Sequence, residues 1–400
     1  VGGGAAGFFA AISCAESSTG REVVLLEKTA HFLSKVRISG GGRCNVTHAC
    51  FEPKEFTTRY PRGERTLISP FHQFQAADTV RWFEERGVKL KTEADGRMFP
   101  VTDSSETVIE CLVGEARKLG VRLVAGQGVD SVEKTENGFR LGLHQGQPLD
   151  CAALLLATGG CRTPALGHLA TSLGHSLQPP VPSLFTFHVE TDWVQALAGL
   201  AVPRVSLEVP EGDLHETGPL LFTHWGLSGP VVLRTSAWGA RKLHQVDYQF
   251  ELRVNFVPTL SEEKVRSELQ FKAGEQPAKW VVNTPQFQIP SRLWEQLVIQ
   301  SGLPRETRWS AVKKSEMHSL VQQLIRTRLK VSGKSLNKEE FVTCGGVDLK
   351  QVDFKTMESK ICPRLFFAGE VLDVDGITGG FNFQAAWTTG WIAGKSMAKI

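Results

Sequence analysis

The stretch that most constrains this chain is its opening, "VGGGAAGFFAAISCAESSTGREVVLLEK", in which Gly2, Gly4 and Gly7 stand in GxGxxG spacing. A small and apolar helix pattern runs from Ala5 to Ala15, and the buried-strand pattern "EVVLLE" ends in Glu27, 20 residues past Gly7. Such a turn, helix, strand and acid form a dinucleotide-binding unit. The glycines permit a tight turn and close approach of a pyrophosphate, the helix N-terminus meets its charge, and the carboxylate accepts ribose hydroxyls. A Glu at that position repels a 2′-phosphate and so speaks against NADP, but it does not separate NAD from FAD. The strand that should lead into Gly2 is reduced to Val1, so most of a first central strand is expected to be missing from this sequence.

At 400 residues, two domains, or one domain with a large insertion, are expected. The 45 basic and 42 acidic side chains leave a net charge of +3, with no dense Lys/Arg run. That balance gives no support for a nucleic-acid or anionic-membrane surface, so neither partner is expected. No stretch approaches the roughly 18 uninterrupted apolar residues of a membrane span. The eight cysteines show no CxxC pair and no metal-ligand spacing, which reads as reduced thiols without a metal site. The expectation is a soluble protein of a reducing compartment, the cytoplasm first. An organelle stroma or matrix is the alternative, because the sequence begins at Val1 without Met.

Two amphipathic helix patterns follow, "AADTVRWFEERGV" and "SSETVIECLVGEARKLGV", the second with Ser105 as N-cap. Short strands come next, with a hairpin turn at Asn137-Gly138, and then the buried strand "CAALLLATGG", which feeds Gly159 and Gly160. The "QPPVPS" cluster, Gln178 to Ser183, reads as a boundary. Beyond it, alternating segments such as "SLEV" and "YQFELRVNF" give way to helical segments rich in Lys, Glu and Gln. No second GxGxxG occurs there, so a separate nicotinamide-binding domain is not expected.

The end of the chain, "RLFFAGEVLDVDGITGGFNFQAAWTTGWIAGKSMAKI", reads as a buried strand ending at Gly369-Glu370 and a loop containing Gly376, Gly379 and Gly380. A helix dense in small residues then begins near Asn382. Its N-terminal dipole suits the negative charge that builds on a reduced flavin. Near the start of the chain, "SGGGRCN", Ser39 to Asn45, puts three glycines in a row, which lets backbone amides lie against a flat or phosphorylated group.

These segments, with "ATGG", "THWGLSGP" and "GGV" between them in order, resemble the NAD(P)/FAD-dependent oxidoreductases of the BaiN type, also called the aminoacetone oxidase-like family. The similarity spans nearly the whole chain, and "SGGGRCN" and "GEVLDVDGxTGGFNFQ" carry it more specifically than the Rossmann fingerprint does. The resemblance implies an α/β fold, a glutathione-reductase-like FAD-binding Rossmann domain interrupted by an inserted substrate domain of β-strands and helices. Residues 1–183 and 337–400 would form the FAD domain and 184–336 the insertion.

It further implies FAD contacts from Gly2, Gly4, Ala5, Ala6, Gly7, Glu27, Lys28, Ser39, Gly40, Gly41, Gly42, Arg43, Cys44 and Asn45. Val129 would reach the adenine through its backbone, and Ala157, Thr158, Gly159, Gly369, Glu370, Gly379, Gly380, Phe381 and Asn382 complete the set. Arg43 is a candidate partner for the phosphates or a substrate anion, and Asn45 for the ring edge. The family commonly has Asn where this chain has His48.

Because a flavin carries the hydride chemistry itself, catalytic side chains are harder to read. Cys44 and His224 are the candidates, with His188 and Cys344 behind them; against these stand a buried inert thiol and an ordinary packed or solvated His. The implied activity is hydride exchange between a small organic substrate and FAD, recycled by NAD(P)H as a transient donor or by oxygen. An oxygen-using oxidase of small amines is the alternative, and an RNA-modifying or non-catalytic FAD-binding protein is the alternative of another class.

Overall fold

The computed structural model of the chain describes residues 1–18, 20–161, 164–335 and 342–400. The chain divides into two compact units, Val1–Ser183 with Lys338–Ile400, and Leu184–Asn337. The expected junction at 336/337 lies outside the described residues.

In the first unit, short apolar strands lie side by side in parallel. Val24–Leu26 pairs with Arg122–Val124, and Leu154–Leu156 pairs with Leu365–Phe367. Val1 stands between the two pairs: its carbonyl accepts from the Ala157 amide at 2.8 Å, and the Gly2 amide donates to Leu26 O at 2.8 Å. Leu154–Leu156 and Leu365–Phe367 are buried throughout, as continuous apolar runs in a covered parallel sheet should be.

The first helix, Ala5–Ser17, is buried from Ala5 to Cys14 and packs along the last helix, Phe381–Met397. The contact is one of small residues. A Cβ added at Gly390 would sit 2.4 Å from Ala6 O, and one at Gly394 would sit 2.3 Å from Ala10 O. The two backbones therefore approach as closely as glycine allows.

Two expected helices occur at Ala76–Glu84 and Ser105–Lys118, but the second is capped one residue earlier than expected. Ser104 accepts the Glu106 amide, whereas Ser105 Oγ donates to Arg37 O at 2.7 Å. The hairpin between Val129–Thr135 and Gly138–Leu143 turns at Glu136 and Asn137, and Gly138 takes the positive φ of 154° at the head of the next strand. The Pro-rich "QPPVPS" is more than a boundary: Leu177–Ser183 is a strand paired antiparallel with Val342–Val347. Its register breaks between Gln178 and Val181, where Pro179 and Pro180 have no amide to donate.

The second unit is built on a seven-stranded antiparallel sheet in the order Thr327–Val331, Phe250–Asn255, Ala201–Val209, Leu214–Thr223, Gly226–Ser228, Thr186–His188, Gly333–Ser335. Phe250–Asn255 alternates buried and half-buried residues, the signature of a sheet with one covered face. Helices Pro230–Gln245, Glu262–Glu275, Ser291–Gln300 and Lys314–Arg326 supply apolar faces to its core. Two buried indoles fix the segment that follows Glu262–Glu275. Trp294 Nε1 donates to Val281 O and Trp309 Nε1 to Thr284 Oγ1, each at 2.8 Å.

Gly390→Val is expected to lower stability by about 1–3 kcal/mol, because the new side chain must push the first helix off its partner. Urea unfolding followed by circular dichroism reads this directly, and an unchanged midpoint would show that the helices do not pack as described.

Candidate functional site

The glycine turn is built by close backbone approach. Gly2 has φ +107°, and a Cβ there would lie 2.2 Å from Ala157 O; one at Gly7 would lie 1.9 Å from Gly2 O. No side chain larger than hydrogen fits either place. Gly4, by contrast, N-caps the first helix, with no side-chain cap and nothing within 4 Å of an added Cβ. Gly159, with φ +77°, is likewise half-buried and open. Beside the uncapped helix start, these positions make a cradle that a Cβ would fill and whose free amides suit an anion.

Glu27 is oriented toward this cradle by its own neighbours. Its Oε2 accepts the Gly3 amide at 2.8 Å, and its Oε1 accepts the Thr29 amide at 2.9 Å and the Thr29 hydroxyl at 2.8 Å. Oε1 thereby uses both of its lone pairs, whereas Oε2 keeps one for a ribose hydroxyl. The chain at Gly126–Val129 runs alongside: the Gln127 amide donates to Glu27 O and the Gly126 amide to Thr29 O, each at 2.8 Å. Lys28 is exposed beside Gly128.

The "SGGGRCN" segment is a helix end followed by left-handed backbone. Ser34–Gly42 breaks at Ser39, Gly40 and Gly41, and Cys44 also has positive φ. This geometry turns the chain into the loop before the last helix. Asn45 Oδ1 accepts the Gly380 amide at 3.0 Å, while its Nδ2 donates to Thr47 O at 3.0 Å. Thr47 Oγ1 donates to Gln384 Oε1 at 2.6 Å, and Trp387 Nε1 donates to Val46 O at 2.9 Å. His48 Nδ1 lies 3.2 Å from Gly379 O, its ring stacked on Phe381, and burial lowers its pKa. Asn382 closes its own loop through both ends of its carboxamide, to the Gly376 amide and carbonyl.

The remaining predicted positions join the same network. A Cβ at Gly369 would lie 2.8 Å from the Ala6 Cβ, and the Gly369 amide donates to Thr389 Oγ1 at 2.9 Å. Glu370 accepts the Thr343 amide at 2.9 Å and pairs with Lys35, which precedes the glycine run. Ala157 and Thr158 back onto Gly2. The fingerprint, Glu27, "ATGG", "SGGGRCN" and the last loop thus line one region of the first unit. The residues present fit FAD: an open glycine cradle at a helix N-terminus, an oriented carboxylate, and a second uncapped helix start at Gly380.

Some predicted side chains are committed elsewhere. Arg43 pairs with Glu93 at 2.6 Å and Asp103 at 3.6 Å and lies 4.0 Å over the Phe99 ring. The same two carboxylates also pair with Arg97 and Lys91, so Arg43 stands in a mixed-charge cluster. Cys44 is fully buried, and desolvation pushes its thiol up to about 12, which keeps it protonated at neutral pH. None of the eight cysteines forms a disulfide among the described residues. In the second unit His224 is exposed in the turn between Leu214–Thr223 and Gly226–Ser228, and His188 ends the strand Thr186–His188. Cys344 is buried within Val342–Val347. Among the described residues no His/Cys/Asp/Glu group could hold a metal, and no helix is long and apolar enough to cross a membrane.

Sequence reasoning missed one buried ionic cluster. Arg62 Nε donates to Asp375 Oδ1 at 2.5 Å while its Nη2 meets Oδ2, and Ser183 Oγ donates to Oδ2 at 2.8 Å. Asp375 is fully buried, and burial raises its pKa against the pull of Arg62. The available signal was an acid inside the glycine-rich "LDVDGITGG"; nothing marked Arg62.

Glu27→Ala is expected to weaken FAD binding about tenfold, since charged hydrogen bonds contribute about 1.5–3 kcal/mol each; fluorescence titration of the apoprotein measures it. Arg62→Ala leaves the Asp375 carboxylate buried and unpaired, and should cost about 3–5 kcal/mol in urea unfolding. Adding Asp375→Asn should recover part of that loss, and a neutral Arg62→Ala would contradict the cluster's role.

Comparison with known proteins places this geometry. Residues 1–396 match the family described as HI0933-like protein Rossmann domain. A ribosomal RNA dihydrouridine synthase of Escherichia coli (strain K12) is 32% identical over 407 aligned residues, covering 99% of this chain and 96% of the relative. A 3-dehydro-bile acid delta(4,6)-reductase of Clostridium scindens is 29% identical, covering 100% of this chain and 98% of that protein. The crystal structure of 3-ketosteroid-delta4-(5alpha)-dehydrogenase from Rhodococcus jostii RHA1 shares the fold, with a TM-score of 0.52 at 15% identity over 100% of this chain and 96% of that one. With its fingerprint, its cradle and a match over nearly its full length, the chain belongs to the HI0933-like family of Rossmann-fold, FAD-dependent oxidoreductases.

Proposed function

We propose that this protein is a reductase that uses FAD to deliver a hydride to a carbon–carbon double bond conjugated with a carbonyl, the flavin being recharged by NAD(P)H. Bound FAD supplies the hydride chemistry, and the protein supplies binding, orientation and electrostatics. The first helix start and Glu27 hold the phosphates and ribose. The last helix presents its uncapped N-terminus at Gly380, where amides and dipole stabilise the negative charge a reduced ring carries. The loop that aims this helix is fixed on one side by Asn45 and Thr47 and on the other by Arg62 and Asp375.

The observation that carries the choice of reaction is chemical. The two relatives' names describe one bond change on unlike molecules. Making dihydrouridine saturates the double bond beside the uracil C4 carbonyl, and a delta(4,6)-reductase acting on a 3-dehydro bile acid saturates double bonds conjugated with the 3-keto group. A flavin site that spans both names is one for conjugated carbonyls, with the acceptor set by what surrounds it. Cys44 takes no redox part in this reading, because its thiol stays protonated.

Anaerobic mixing of the holoprotein with NADH or NADPH should bleach the flavin, and adding a conjugated enone or a uridine-containing RNA should restore its colour and yield a product with two added hydrogens. If amines bleach the flavin instead and only oxygen restores it, the protein is an oxidase and this reading fails.

A further inference from the structure

We infer that the second unit carries a binding cleft for a single-stranded nucleic-acid segment, with one base seated on Trp280 and the flanking phosphates on Lys279, Arg308 and Lys272. The cleft, of about 550 Å³, lies between the end of the helix Glu262–Glu275 and the loop running through Val281–Asn283. Among the described residues three cations line it, and the one carboxylate that pairs with any of them is Glu275, 3.3 Å from Lys272. Lys279 and Arg308 have no ion-pair partner among the described residues. Two cationic heads are thus left for an external anion.

Trp280 is 43% exposed at the same place, although an indole gains much from burial. Its backbone is held rigidly: Trp280 and Arg308 form an antiparallel bridge, the Val281 amide donates to Thr307 O at 2.9 Å, and the Trp309 amide donates to Lys279 O at 3.1 Å. The buried indoles of Trp294 and Trp309 pin the same loop from beneath. A ring and two cations are therefore presented together on preorganised backbone, and the amides of Asn283 and Gln276 also line the cleft, with donors and acceptors for base edges. A stacking platform beside backbone-tracking cations is how single strands are bound without a fixed sequence. A lone small anion would leave the indole without purpose.

Near-neutral composition gave no hint of this, because the cations come from separate stretches of chain and only folding gathers them. The inference is independent of the redox reading, since binding is measured without turnover.

The test is fluorescence anisotropy of a labelled single-stranded uridine RNA oligonucleotide with the full-chain holoprotein, across a range of salt concentrations. DNA of the same length, a duplex and UMP serve as competitors. Trp280→Ala should weaken binding about tenfold, with Trp280→Phe retaining most of it. Lys279→Gln with Arg308→Gln should lower the slope of log affinity against log salt by about 1.4, the loss of two phosphate contacts. Flavin absorbance checks that each variant is folded. Competition by single strands of either sugar supports the cleft. No salt-dependent binding, binding indifferent to these variants, or equal competition by duplex or UMP overturns it.

Discussion

The structure of the first unit depends on one set of contacts: the hydrogen bonds that fasten residues 45–48 to the loop and first turns of the last helix. Asn45, Thr47, Val46 and His48 each meet a group between Gly379 and Trp387. Gln384 passes the connection on to Thr388, whose hydroxyl donates to Phe74 O at 2.8 Å. These groups are largely buried, where an unmade hydrogen bond costs about 1–3 kcal/mol, so the network holds as a whole or loosens as a whole. Two segments more than three hundred positions apart thereby become one wall.

Glycine sets how close the parts of that wall stand. Along the two helices, Gly390 and Gly394 let backbone rest on backbone, which fixes where the last helix begins relative to the fingerprint turn. At Gly4 and Gly159 the missing side chain leaves space instead. The same residue type thus performs opposite tasks, and only the neighbouring atoms tell them apart. The charge at the far edge is managed by Arg62, which lets a buried acid anchor the loop at Asp375.

Much of this was legible in the chain. The fingerprint is a local pattern, since its turn, helix, strand and acid follow one another within Val1 to Lys28, and local spacing dictates local geometry. The tight backbone of the glycine-rich stretches was legible for the same reason. What composition and periodicity could not show was where long side chains go. Arg43 read as a candidate partner for phosphates or a substrate anion, and nothing in its stretch announced its pairing with Glu93 and Asp103. Arg62 had no signal because its partner lies at the other end of the chain. The Leu177–Ser183 strand was hidden because proline reads as a break, and only its distant partner Val342–Val347 shows that two missing donors are tolerated at a bulge. The shift of the cap from Ser105 to Ser104 is the ordinary ambiguity of two adjacent serines.

The claim on which all of this turns is that the glycine cradle, Glu27 and the fastened loop hold a flavin dinucleotide. Its most direct measurement is the cofactor released from the purified native protein by denaturation, identified by chromatography and quantified against chain concentration. The account predicts a single equivalent of FAD per chain. A protein that releases FMN, or that stays colourless after incubation with FAD, would contradict it.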